Sequence, residues 1–286
     1  MITRVATLAT SAVAALALAG CAASSGGAGG NTTSGAPTCT PDTMHTHTSG
    51  TLTIATDSPA YEPWFKQNDP TNGHGFESAV AYAVATQLGY AANQVKWVVA
   101  PFNSVIAPTP KKFDFDINEV SISEKRAKAV DFSSGYYDVA QAVVALKGNK
   151  YANATSIKAL HGAKLGAQVG TTSFDAINEV IKPGVTPLEY PTNNLAVQAL
   201  KNGTIDGLVV DLPTGLYVTA AQVDNSKIVG QLAVKGHPEQ FGLVLDKGSS
   251  LTSCVTQAVD ALRENGTLAE LQRLWLTRRA GAPTLK

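Results

Sequence analysis

From Gly50 to the end of the chain, short apolar runs alternate with segments of helical period, and this alternation is interrupted once and then restarts. Each such element has an apolar side that must be buried against another layer, so the pattern specifies helices packed on sheets. Leu52 to Thr56 reads as a first strand. After a loop rich in Pro, Asn, Asp and Gly, Phe76, Val80, Val84 and Leu88 share one helix face, which Gly89 closes. Val95 to Val99 is the next strand. Phe113, Phe115 and Ile117 alternate with Asp114, Asp116 and Asn118 as a third.

Val139 to Leu146 reads as a strand crossing into a second unit. There Lys164 to Val169 forms a strand and Gly170-Thr171-Thr172-Ser173 opens a helix. Leu195 to Leu200 is helical, with Thr192 and Asn193 as capping candidates and Gly203 as its stop. Ile205 to Val210 is a strand ending at Asp211. Phe241 to Leu245 offers a second crossing. Leu251, Val255, Ala258, Val259 and Leu262 then share a helix face, and Thr267 with Glu270 predicts a capping box before Leu271, Leu274 and Trp275. Two crossings imply two lobes joined by a hinge: 50–144 as the first part of lobe 1, 145–240 as lobe 2, and 241–286 as the return to lobe 1 with the final helices.

Residues 1–20 resemble a bacterial lipoprotein signal. Arg4 is the positive start, Val5 to Leu18 is an apolar stretch too short to span a membrane, and Leu18-Ala19-Gly20-Cys21 is the cleavage box. The expectation is a lipidated Cys21 and a flexible linker over 21–49, whose Gly, Ser, Thr, Ala and Pro bury little surface. That leaves Cys39 and Cys254, a disulfide candidate in an oxidising compartment and otherwise two free thiols. The chain carries 22 basic and 22 acidic residues, which argues against nucleic acid as a partner. His45, His47, His74 and His237 lack the spacing of a known metal site, and no metal or other cofactor is expected.

In open α/β sheets ligands bind beyond the carboxyl ends of strands. Gly170-Thr171-Thr172 follows a strand and starts a helix, which suits an anion and equally suits a plain helix cap. Arg126 lies in Asn118-Glu119-Val120-Ser121-Ile122-Ser123-Glu124-Lys125-Arg126, between a strand and a helix. Its fork is suited to gripping a carboxylate, and it equally fits an exposed face beside Lys125 and Lys128. Asp211 is either an acid for an ammonium group or a turn residue before Pro213. Taken together, a carboxylate clamp and an acid form a receptor for a zwitterion.

Gly75-Phe76-Glu77, the Ser-Ile-Ser-Glu-Lys-Arg run, Phe132-Ser133 with Tyr136-Tyr137, Gly162 to Thr172, Ile205-Asp206-Gly207 leading to Asp211, and Gly266-Thr267-Leu268 occur in one order. The chain thereby resembles an extracytoplasmic amino-acid-binding protein of an ABC importer, of solute-binding protein family 3. The resemblance implies the α/β periplasmic-binding-protein type II, or Venus-flytrap, fold with a hinge of two crossing strands.

It further implies that Arg126 pairs with the ligand α-carboxylate, helped by Ser121 and by Thr171 or Thr172. Asp211 takes the α-ammonium, and Tyr61 or Trp64 covers the ligand's body. Asp57 matches a position that contacts the side-chain cation in relatives selecting basic amino acids. Glu119 stands where many family members have glycine, and Gln168 is a further candidate for the side-chain pocket. A basic amino acid is the expected ligand. The expected partners are a membrane permease and, through the lipid anchor, the extracytoplasmic face of the membrane, with the receptor a monomer. A sensing receptor component and a dehydratase-like enzyme on the same fold are the alternatives.

Overall fold

Every residue of β1 (Leu52–Thr56) is buried, as a central strand covered on both faces requires. In the computed structural model, which describes residues 38–233, 236, 238–276 and 282–286, β1 lies in parallel between β2 (Val95–Val99) and β3 (Phe115–Asp116). Cys21 and the expected leader lie outside the described residues. The first sheet is completed by β4 (Asp131–Val139) and by a strand from far along the chain, β10 (Glu239–Leu245). Its order is β2-β1-β3-β10-β4, with β10 antiparallel to both neighbours.

The second sheet contains β5 (Gln141–Leu146), β6 (Leu165–Gln168), β7 (Leu188–Tyr190), β8 (Gly207–Asp211), β9 (Ser226–Leu232) and β11 (Thr284–Leu285), in the order β11-β9-β5-β8-β6-β7. Single-residue Ala140 separates β4 from β5, so the chain changes sheets there rather than after residue 144. Gln141 to Val144 already pair with Asp211 to Leu208. The return falls between Leu232 and Glu239, because Glu239 and Gln240 pair with Val139 and Asp138 of the first sheet. The C-terminal strand also departs from expectation, since β11 joins β9 in the second sheet. Gly230 permits this close approach: a Cβ there would stand 2.7 Å from Leu285 and from the Pro283 carbonyl oxygen.

Eight α-helical segments are seen among the described residues: α1 (Phe76–Gln87), α2 (Phe102–Val105), α3 (Glu124–Ala127), α4 (Thr172–Ala176), α5 (Asn193–Lys201), α6 (Leu212–Tyr217), α7 (Thr252–Glu264) and α8 (Thr267–Trp275). The apolar spacing in α7 buries Val255, Ala258, Val259 and Leu262 in the core shared with Phe76, Val80 and Val84 of α1. Full burial of each such large aliphatic side chain contributes about 1.5–3 kcal/mol before entropy is counted. As expected, the Thr192 side chain caps α5, accepting from Leu195 N–H. The predicted capping box at α8 does not form. Gly266 is the cap, the Asn265 side chain accepts from Thr267 N–H, and Glu270 pairs with Arg273 instead.

Residues 38–49, placed in the flexible linker by composition, pack on the first lobe. Met44 is buried in its core, and His47 N–H donates to Asp114 at 2.8 Å. Cys39 is bonded to Cys254 of α7, with the Cα atoms 5.4 Å apart. A cross-link closing so long a loop restricts the unfolded chain. Replacing both cysteines by serine should lower unfolding stability by about 2–5 kcal/mol, measured as a shift of the urea midpoint. An unchanged midpoint would mean that packing of Met44 and α7 alone holds the segment.

Candidate functional site

The parallel strands of both sheets end at one crevice. From the first lobe, Asp57 follows β1, Phe102 opens α2 after β2, and Asn118 and Glu119 follow β3. From the second, Gln168 ends β6, Thr172 starts α4, Asn193 starts α5, Asp211 ends β8 and Thr214 lies in the first turn of α6. These residues, with Tyr61, Arg126 and Thr171, line one cavity of about 100 Å³.

Arg126 is placed by α3, whose cap Ser123 accepts from the Arg126 N–H at 3.2 Å. Its side chain is not the exposed cation that the flanking lysines suggested, for Arg126 is only 7% exposed. Nη1 donates to the Ser121 carbonyl at 2.7 Å and Nη2 to the Gly170 carbonyl at 2.9 Å, so one guanidinium bonds a backbone oxygen of each lobe. The guanidinium carbon also stands 5.3 Å from the centre of the Phe102 ring, within cation–π range. Burial lowers the pKa of Arg126, opposed by the carboxylates of Glu239, Asp211 and Asp175.

The Ser121 and Thr172 hydroxyls lie 3.2 Å apart across the crevice. Thr171 is committed locally: its hydroxyl donates to the Gln168 carbonyl and accepts from Phe174 N–H, capping α4. Of the two threonines, Thr172 therefore carries the side chain directed to the other lobe.

Asp211 is held by Gln141, whose amide nitrogen donates to its Oδ1 at 2.7 Å and to Glu239 at 3.0 Å. Burial raises the Asp211 pKa well above the usual carboxylate range, and Glu239 and Glu119 raise it further, against the Gln141 bond and the Arg126 charge. Asp57 sits near Phe102, with Oδ1 accepting from Ser58 N–H at 2.7 Å and Oδ2 from Phe102 N–H at 3.2 Å. Three carboxylates, of Asp57, Glu119 and Asp211, thus share the cavity lining with a single guanidinium.

Glu119 adopts φ 53°, in the left-handed region, where a side chain other than glycine costs on the order of 1 kcal/mol. Its backbone N–H donates to Glu77 Oε1 at 2.7 Å, and its side chain accepts from the Thr214 hydroxyl of the opposite lobe. That hydroxyl in turn accepts from the Trp64 indole N–H at 3.1 Å. Burial, then the Glu77 carboxylate, raises Glu119 to about 8. Glu77, fully buried on α1, is pushed up to about 7 chiefly by desolvation.

Tyr61 lines the cavity, bonds Asn194 across the crevice and lies 6.2 Å from the Tyr217 ring. Trp64, the other aromatic expected to cover a ligand, is fully buried against Phe76, Tyr137 and Phe241 and does not line the cavity. Gly75 shows why: a Cβ there would meet the Trp64 carbonyl oxygen at 2.4 Å, so the Trp64 backbone lies flush on the start of α1. Gln168 lines the cavity. Sequence reasoning missed Phe102, Asn118, Asn193, Gln141 and Thr214. Phe102 after Pro101, and Thr214 beside Pro213, open helices that follow strands, which was the available signal.

The model of the bacterial extracellular solute-binding proteins, family 3, matches residues 52–278. The L-cystine-binding protein TcyJ of Escherichia coli is 29% identical over 231 residues, covering 79% of this chain and 82% of the relative. The L-arginine-binding protein of Pseudomonas aeruginosa is 29% identical over 235 residues, covering 77% and 88%. Among solved structures, an ancestral arginine-binding protein bound to arginine is 33% identical with a TM-score of 0.65, covering 79% of this chain and 98% of that one. An ancestral arginine-binding protein bound to glutamine is 32% identical, also at a TM-score of 0.65, covering 80% and 99%.

Glu77 and Glu119 keep protons in the folded protein that the unfolded chain has lost. Between the ordinary glutamate value of 4.5 and about 8, the folded state binds more protons, so stability falls as pH rises through that window. Each such group contributes a slope of up to about 1.4 kcal/mol per pH unit. Denaturant midpoints of ligand-free protein should therefore decrease from about pH 5 to about pH 8, and less steeply in Glu119→Gln. Identical slopes in the two proteins would show that Glu119 does not titrate in this range.

Proposed function

The chain belongs to the bacterial extracellular solute-binding proteins of family 3, and from that premise we propose that it captures a basic amino acid between its lobes for an ABC importer. The observation that carries this reading is the cavity itself. Arg126 is the cation for an α-carboxylate, with Thr172 in the same lining and the Ser121 hydroxyl, outside that lining, bonded to Thr172. Asp211 is the acid for an α-ammonium. Asp57, beside Phe102 and Tyr61, leaves a second carboxylate for a cationic side chain held between aromatic rings. An acidic ligand would leave these carboxylates without a counter-charge in a confined site. The relatives named for arginine support the same choice.

Contacts from both lobes favour the closed form when ligand is present. The receptor works on the extracytoplasmic side, held there by lipid on Cys21, and as a monomer presents its closed form to a membrane permease that takes up the amino acid. Binding rather than turnover is the activity, in keeping with relatives named as binding proteins.

Charged hydrogen bonds contribute about 1.5–3 kcal/mol each. Arg126→Ala should therefore weaken arginine and lysine binding by about 100-fold or more, while circular dichroism stays native. Asp57→Asn should weaken arginine and lysine but leave glutamine unaffected. Isothermal titration of refolded, ligand-free protein checks both, and a response confined to glutamate or aspartate would overturn the basic-ligand reading.

A further inference from the structure

We propose that Glu119 carries a proton in the empty cleft and releases it to solvent when the ammonium group of the ligand arrives, so that capture of the amino acid is proton-linked. The inference rests on the amino-acid-receptor reading above and assigns a role to a residue that the clamp itself does not require.

Geometry places Glu119 where a cation is wanted and none is supplied. Its side chain lines the cavity, and its hydrogen-bonding partners there are neutral groups, the Thr214 hydroxyl and the Trp64 indole, which also bond each other. The ionisable groups whose charges couple to it come from three elements. Glu77 is on α1, the phenols of Tyr136 and Tyr137 are on β4, and Asp211 is at the end of β8. All are acids. The charge of Arg126 acts instead on Asp211. Glu77 cannot relieve the pair: Oε1 already accepts from the Glu119 N–H and the Tyr136 hydroxyl, while Oε2 is buried without a hydrogen-bond partner.

Two carboxylates this close and this dry do not both ionise without a cation between them. A proton fills that need in the empty cleft. The α-ammonium, brought toward Asp211 by the anchoring of its carboxylate at Arg126, comes to the neighbouring Glu119 and takes over the role. The exchange is balanced. The protonated carboxyl of Glu119 loses its O–H proton to water, the ammonium keeps all of its hydrogens, and a carboxylate–ammonium pair replaces a neutral acid. The left-handed backbone at Glu119 is consistent with a side chain held for such a task.

The test is isothermal titration of lysine and of arginine into refolded, ligand-free protein, at matched pH in phosphate and in Tris, whose ionisation enthalpies differ. Near neutral pH the two buffers should give different heats, corresponding to release of a large fraction of one proton per ligand. Affinity should weaken by up to about tenfold for each pH unit below about 8. Glu119→Gln should bind more weakly at high pH, with equal heats in the two buffers and a flat pH profile. Equal heats for the unmodified protein would overturn the proposal, as would undiminished proton release in Glu119→Gln, which would move the proton to Glu77 or Asp211. If no amino acid produces heat at any pH, the receptor reading fails first, and this inference falls with it.

Discussion

The guanidinium of Arg126 bonds a carbonyl from each lobe while lying among the carboxylates of Asp211, Glu239 and Asp175. A buried cation that stays charged must be surrounded by oxygen, and here those oxygens come from two separate sheets. The closed arrangement of the crevice follows from this. Ser121 meets Thr172, Glu119 meets Thr214 and Tyr61 meets Asn194 across the same gap. Each contact is modest alone, and together they bring polar groups of both lobes to one small cavity.

The hinge takes part in the same network. Gln141 is the first residue of β5 and Glu239 the first of β10, so each sits directly beside a place where the chain changes sheets. The Gln141 amide spans Asp211 and Glu239, and its carbonyl oxygen accepts from the Ser173 hydroxyl at 2.7 Å. The acid proposed for the ligand ammonium is therefore positioned by the crossing strands themselves. A rotation between the sheets cannot leave Asp211 and its partners unaffected.

Much of this architecture was legible in the chain because helical and strand periods are local properties. α1, α5 and α7 follow their apolar spacing, and β1, β2 and β6 fall on their apolar runs. The failures came where side chains choose between competing partners. Glu270 was available to cap α8 and pairs with Arg273 instead. Tyr61 and Trp64 are equally aromatic and lie in one loop, yet the close approach of Gly75 draws Trp64 into the core and leaves Tyr61 at the cavity. Asp211 and Arg126, which line the cavity, stood out because a strand end and a Ser-rich run mark them, whereas Gln141 looks like any polar residue at the start of a strand.

The sequence by itself determined the alternation of layers, the two crossings between them, and the places where strands hand over to helices, and it offered the two cysteines beyond Cys21 as candidates for a bond. These depend on patterns that neighbouring residues carry in full. Only the tertiary structure decided which of those places face one another, that Arg126 is buried rather than solvated, and that Glu77 lies close enough for its charge to raise the pKa of Glu119. Desolvation and charge coupling depend on distance through space, so they belong to the fold and cannot be read from positions 42 residues apart in the chain.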